Sequence, residues 1–256
     1  MALVYGDKSI ISIATGSQHS LQRDPSVATV ITAEDIAATG ATGLDEVLET
    51  VPGLHVSRAS IRYMPMYLIR GIGGGNQSTP QVLMLQNGIP MTTMYNGDRG
   101  SAWIGVPVEN IARIEIIRGP GSALYGADAY AGVINIITKT AADTPGDRFG
   151  VRVGSFNTRD AWVQHDGKWG EVDVAGYLRI GSTDGIREII SADAQTRNDS
   201  LYGSTVSLAP GPVNTGYNAV DGNLDLARDK WRMRASYKLR DNLQTGAGIS
   251  SALDPG

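Results

Sequence analysis

Cysteine is absent from this chain of 256 residues. Its absence removes disulfides and thiolate metal sites, and fits both a reducing cytoplasm and many bacterial envelope proteins. Histidine is scarce: His19, His55 and His165 stand far apart and lack the spacing of a metal site, so no bound metal is expected. No apolar run approaches the roughly 20 residues of a membrane helix. The opening Met-Ala-Leu-Val-Tyr-Gly-Asp is too short for a signal peptide. A net charge of -4 gives no hint of a nucleic-acid partner. With 41% hydrophobic and 19% charged residues, the chain falls among folded proteins rather than disordered ones.

What is present is concentrated between Ile111 and Lys139, IARIEIIRGPGSALYGADAYAGVINIITK. It reads as a strand, a Gly-Pro-Gly turn, a short helical turn, a small-residue bend and a second strand. Gly and Pro mark sharp backbone reversals at fixed places. The runs Ile114 to Ile117 and Val133 to Ile137 have the character of buried strands. Two enzymatic fingerprints come close and fail. A phosphate-cradling loop needs Lys and then Ser or Thr after its second glycine, but Gly126 is followed by Ala127 and Asp128. A nucleophile elbow needs Gly two residues to either side of its Ser, but Ser122 has Pro120 and Leu124 there. No enzymatic activity is expected.

The chain up to about Thr140 mixes helices and strands. Val27 to Ile31 reads as a strand. Thr32 caps a short helix with Glu34 and Asp35 in its first turn, and Gly40 ends it. Thr42 is expected to cap a second helix whose apolar stripe is Leu44, Val47, Leu48 and Val51, stopped by Pro52-Gly53. Strands follow near Leu54 to Ser57, Tyr67 to Arg70 and Val82 to Leu85, and Asn87-Gly88 signals a tight turn before Ile89. Taken alone, this describes a small α/β domain and nothing more.

Ala141 to Asp147 is a small-residue linker, after which the pattern changes to period two. Val172, Val174, Leu178 and Ile180 alternate with Glu171, Asp173, Tyr177 and Arg179. Trp231, Met233, Ala235, Tyr237 and Leu239 alternate with Lys230, Arg232, Arg234, Lys238 and Arg240. Such strands have one apolar and one polar face, and each is close to the roughly 9–11 residues that cross a bilayer when tilted. A half-exposed soluble sheet would alternate in the same way. Turn lengths favour the membrane: Asp166 to Gly170 and Arg240 to Asn242 are short, whereas Ser182 to about Val220 is long and polar, the habit of outer-membrane barrels. Five strands are expected, at about 149–156, 159–165, 171–181, 221–240 and 243–250. Five cannot close a ring around a packed domain, since plugged transporters use about 22, and an open sheet in lipid leaves edge groups unpaired. The chain is therefore expected to be the N-terminal part of a longer protein.

Four stretches, in order, resemble the TonB-dependent outer-membrane receptors: VATVITAEDIAATGATGLDEVLETVPGLHV from Val27, LIRG at Leu68 to Gly71, LQNGIP at Leu85 to Pro90, and PVENIARIEIIRGPGSALYGADAYAGVINIITK from Pro107. The resemblance implies an α+β plug domain, a small mixed sheet with short helices, followed by antiparallel transmembrane β-barrel strands that leave the barrel incomplete. The implied domains are an N-terminal segment over 1–26, the plug over 27–142 and the start of the barrel over 147–256. It implies a receptor in the bacterial outer membrane that imports a scarce, bulky nutrient of the ferric siderophore, cobalamin or haem class through a plug-gated barrel, energised by the partner TonB. The receptor is expected to be a monomer without a cofactor of its own, the transported metal chelate being the carrier of iron or cobalt. A signalling receptor of the same fold without transport is the alternative, followed by a soluble α/β hydrolase or nucleotide-binding protein.

The resemblance also assigns sites. Ile10, Ile11, Ser12, Ile13, Ala14 and Thr15 lie where the TonB box belongs, a segment that would pair with a partner strand by backbone hydrogen bonds. In the receptors it resembles, arginines at the positions of Arg70 and Arg118 lock the plug to carboxylates of the barrel wall, a role that suits the planar fork of Arg. Ligand-binding candidates lie in two outward loops: Arg58, Arg62, Tyr63 and Met64 in one, and Tyr95, Asn96, Arg99 and Trp103 in the other. Aromatics and arginines suit a large, partly polar ligand. The basic face from Lys230 to Arg240 is expected to line the lumen as a solvated wall.

Overall fold

The computed structural model describes residues 10–11, 19–20, 28–59, 63–72, 81–92, 100–119, 125–143, 145–248 and 251–253. The chain divides into two units, one of 1–57 and 65–145, the other of 58–64 and 146–256.

In the first unit, β1 (Ile10–Ile11) pairs antiparallel with β2 (His19–Ser20). β3 (Ala28–Thr32) runs directly into helix α1 (Ala33–Thr39). Thr32 caps that helix as expected: its hydroxyl accepts from the N–H of Asp35 at 3.2 Å, and the Asp35 carboxylate accepts from the N–H of Thr32 at 2.9 Å. Gly40 ends it with φ 71°, a backbone state open to glycine at little cost. The second helix, α2 (Leu44–Glu49), differs from expectation at its start. Gly43, not Thr42, is its cap, without a side-chain bond. The Val106 carbonyl accepts from the N–H of Leu44 at 2.9 Å, and Gly43 bridges to Pro107; this pairing holds the backbone extended up to Gly43. Thr42 instead donates its N–H to Glu46 at 2.7 Å. The stripe Leu44, Val47, Leu48 and Val51 is buried as its spacing implies.

β4 (Leu54–Arg58) pairs with β5 (Pro65–Ile69). The main sheet adds β6 (Val82–Gln86), β7 (Ile89–Pro90), β8 (Ile111–Arg118) and β9 (Gly132–Thr138) in the order β3-β8-β9-β6-β7. Only β6 and β9 are parallel; the other neighbours are antiparallel. Asn87 and Gly88 both take positive φ, 52° and 81°, in the tight turn their sequence signals. One sheet face packs Ile114, Ile116, Ile134 and Met84 against α2 residues and Trp103 of helix α3 (Gly100–Trp103). The other buries Leu83, Leu85, Ile117 and Val133. Burial on both faces explains why β8 and β9 read as nearly unbroken apolar runs.

The second unit is built on an antiparallel sheet of β10 (Gly146–Gly154), β11 (Thr158–Trp169), β12 (Val172–Thr183), β15 (Tyr217–Arg228) and β16 (Trp231–Asp241). The stretch 221–240, expected as one strand, is two, folded at Asp229-Lys230, where Asp229 has φ 51°. Trp231 onward repeats the alternation of β15 antiparallel to it, so periodicity did not expose the turn. No strand occurs at 243–248, the described part of the expected fifth strand. Between β12 and β15, the expected polar loop holds a short pair, β13 (Ile189–Ile190) with β14 (Gly211–Pro212), and a nine-residue helix, Ala194–Tyr202. The turns at Gly170-Glu171 and Asp229-Lys230 mark one end of the sheet; the long connection 184–216 leaves from the other. Among the described residues no helix is long and apolar enough to cross a membrane.

Candidate functional site

The register of the second sheet sorts its side chains by face. One face carries Phe149, Val163, Leu178 and Tyr237 in one cross-strand row and Val151, Ala161, Ile180, Val220 and Leu239 in the next. Most of these apolar side chains are exposed: Phe149 is 84% accessible and Val151 82%, while Ala161 and Val220 are half-buried. Trp169 and Trp231 sit on the same face at the short-turn end, both exposed. On β12 the apolar positions from Val172 to Ile180 span about 27 Å of strand at about 3.4 Å per residue, enough when tilted to cover most of a hydrocarbon layer.

The opposite face buries charge. Arg152, Asp160, Arg179, Asp221 and Arg240 stand on five successive strands with alternating sign. Arg152 donates to Asp160 at 3.3 Å. Arg179 donates to Asp160 through Nη2 at 2.6 Å and Nε at 3.0 Å, and through Nη1 to Asp221 at 3.0 Å. Arg240 donates to Asp221 at 2.8 Å. The side chains of Asp160, Arg179, Asp221 and Arg240 are each 8% exposed or less. Gly181 makes the seam possible. It faces Asp160 across the ladder, and a Cβ there would lie 2.0 Å from the Asp160 carboxylate. Nearer the short turns, Asp225 accepts from Arg232 at 2.9 Å and Arg234 at 2.6 Å. The basic positions of β16 therefore lie on the charged face. A sheet with apolar residues outside and ion pairs inside inverts the order of a soluble protein and matches a barrel wall in lipid. The seam escaped sequence analysis because its members are far apart in sequence and meet only through register; the alternation on each strand carried the signal.

At the long-loop end, the loop after β4 brings two ligand candidates together. The Arg58 guanidinium lies 5.7 Å from the centre of the Tyr63 ring, a cation–π contact. Tyr63 packs so closely on Gly246 that a Cβ there would meet its ring at 2.6 Å, and Gly246 donates to the Asn214 carbonyl at 2.6 Å. Met64 is buried. Trp103 is a core residue, 2% exposed, with its indole N–H donating to the Met91 carbonyl; its ring has no free surface to offer a ligand. Its own turn of helix drives it inward. Arg62, Tyr95, Asn96 and Arg99 lie outside the described residues.

The long connection is buttoned by two aspartates. Asp193 accepts from the N–H and hydroxyl of Thr196, the hydroxyl of Ser207 and the N–H of Leu253, at 2.7–2.8 Å. Partial burial pushes its carboxyl up, but these four donors outweigh burial and hold it well below the usual carboxylate range. Asp199 accepts from Ser204 and the N–H groups of Ser207 and Val206, and it too is lowered.

In the first unit, Arg118 ends β8. Its Nη1 donates to the Pro52 carbonyl and its Nη2 to Thr29 Oγ1 at 2.9 Å. Opposite it stands Gly132, where a Cβ would lie 2.3 Å from the Ile117 carbonyl oxygen and 2.6 Å from Ile69. That explains the small-residue bend before β9. Arg70 is exposed with φ 54°, and its N–H donates to the Gly53 carbonyl at 2.7 Å. Of the TonB-box candidates, Ile10 and Ile11 form β1; Ser12, Ile13, Ala14 and Thr15 lie outside the described residues. His55 bonds Glu49 and His165 bonds Asp147, each at 2.6 Å.

Residues 20–133 match the family TonB-dependent Receptor Plug Domain. A vitamin B12 transporter, BtuB, of Vibrio vulnificus is 37% identical over 134 residues, 52% of this chain and 21% of that protein. A ferric enterobactin receptor of Pseudomonas aeruginosa is 34% identical over 166 residues, 56% of this chain and 21% of that one. The chain thus aligns with about a fifth of the length of these relatives. The fold is shared with BauA, the ferric preacinetobactin receptor of Acinetobacter baumannii, at a TM-score of 0.61 and 20% identity over 89% of this chain and 30% of that one. It is shared also with the ferric yersiniabactin uptake receptor FyuA of Yersinia pestis, at 0.57 and 21% over 83% and 31%.

Proposed function

Because residues 20–133 of this chain match the plug domain of TonB-dependent receptors, we propose that it serves uptake of a scarce, bulky metal chelate across the bacterial outer membrane, with TonB as the energy-coupling partner. The chemistry is binding and gating, with no covalent step. The observation that carries this reading is the second sheet: apolar residues exposed on one face, a buried ion-pair seam on the other, and a turn asymmetry suited to a barrel wall. Its relatives' names point to corrinoids and ferric siderophores, and both are large enough to need a gated path. Arg58 and Tyr63, at the long-loop end, are the residues proposed to meet the ligand. Ile10 to Thr15 are proposed to pair with TonB, and Arg70 to help hold the plug. The receptor is proposed to work as a monomer.

The test is accumulation of radiolabelled cobalamin and of iron-55 siderophores by cells expressing the natural gene product. Uptake of one of these that stops on removal of TonB, or on deletion of Ile10–Thr15, is expected. Uptake indifferent to both changes rejects the mechanism.

A further inference from the structure

Arg118 has partners within the first unit, and their positions give it a task. β3 is an edge strand of the main sheet, held by the single ladder to β8. The ladder has five pairs, and its first two, Ala28 with Ile117 and Thr29 with Ile116, lie at the end where the N-terminal segment enters. Arg118 follows directly after Ile117, and its Nη2 holds the Thr29 hydroxyl at this same end. Its other arm holds the Pro52 carbonyl, in the turn between α2 and β4. That turn is itself fixed: the next carbonyl, Gly53, accepts from the Arg70 N–H at the end of β5. Arg118 thus ties the entry end of an edge strand to a post joined to the helical layer and the second, smaller sheet.

We infer that Arg118 is a positioning residue that latches β3 shut, so that release of the N-terminal end of the plug begins with loss of the Arg118–Thr29 bond. The inference rests on the proposed TonB mechanism, which sends load into the segment before Ala28. An edge strand loaded at its end opens rung by rung, and a hydrogen bond to a charged group at the first rung sets the threshold for the rest. Two-armed attachment matters, because an arm tied to β3 alone would move with it. Arg is suited to the task by its planar fork, which serves two acceptors at once; Lys places a single point charge.

Hydrogen–deuterium exchange of the natural gene product in lipid nanodiscs, without TonB, reads the latch. Thr29→Val removes the acceptor while keeping the β-branched shape, and Arg118→Lys keeps the charge. Loss of one charge-assisted bond is expected to speed exchange across Ala28–Thr32 about ten-fold in Thr29→Val, with β9 unchanged. Unchanged β3 exchange in both variants overturns the latch, and so does a parallel rise in β3 and β9, the mark of a merely structural role. Uptake measured against a graded supply of TonB separates the premise: a variant that needs less TonB for half-maximal uptake supports the latch under load. Faster β3 exchange with uptake that ignores TonB rejects the transport mechanism and with it the load.

Discussion

Replacing Arg179 by Met tests whether the ion-pair seam holds the second sheet together. Arg179 donates two bonds to Asp160 and one to Asp221, and all three side chains are almost wholly buried. Removing the guanidinium leaves Asp160 with Arg152 alone and Asp221 with Arg240 alone, so each buried carboxylate loses one of its two cations. Breaking a buried pair by deleting one partner costs about 3–5 kcal/mol. Water inside a barrel can solvate part of the exposed charge, so a loss near the lower end, about 3 kcal/mol, is expected. The penalty belongs mainly to the two carboxylates left short of a cation rather than to missing attraction. Arg179→Met combined with Asp160→Asn is therefore expected to recover about 1 kcal/mol of it, because Asp221 keeps Arg240 and only the partly exposed Arg152 loses a partner. Urea unfolding of the natural gene product in lipid vesicles gives these differences by linear extrapolation. A single variant within about 0.5 kcal/mol of the parent, the level of ordinary surface substitutions, refutes the role of the seam. A double variant as unstable as the single one refutes its electrostatic origin.

Three further outcomes follow from the same geometry. Gly181→Ala places a methyl group 2.0 Å from the Asp160 carboxylate and is expected to displace the Asp160–Arg179 pair, destabilising the second sheet by about 1–3 kcal/mol in the same unfolding assay. Thr32→Ala removes the cap of α1 and should cost about 1 kcal/mol, seen as faster amide exchange in the first turn of that helix. Asp193 has a depressed folded pKa, so its contribution is full above the unfolded value near about 3.9 and is lost as pH falls through the folded value. Exchange at Thr196 and Leu253 should therefore rise relative to the sheet only below about pH 4, whereas Asp193→Asn should exchange fast at neutral pH as well; an acid-insensitive loop would contradict the hydrogen-bond count.

How far the chain could be deciphered without coordinates depended on how local the physics was. Thr32 stands next to the helix it caps, so that cap was visible in sequence, and so were the stripe of α2 and the Asn87-Gly88 turn. The cap of α2 was not: Gly43 wins over Thr42 because Val106 and Pro107, more than 60 positions away, pair with it. Trp103 had the look of a ligand contact until the fold placed it in the core. The loop helix Ala194–Tyr202 carried its own Asp193 cap and Gly203 stop, and its polar composition hid them.

The likeness to the plug family and the period-two alternation of the later strands were legible from residue order alone, because short-range backbone preferences and side-chain polarity are written residue by residue. Which charges meet was settled by folding. Asp160, Arg179, Asp221 and Arg240 become one seam through strand register, and Arg118 acquires Thr29 and Pro52 as partners through sheet order. Hydrogen bonds act over about 3 Å, and it is the folded chain that brings groups tens of residues apart within that distance.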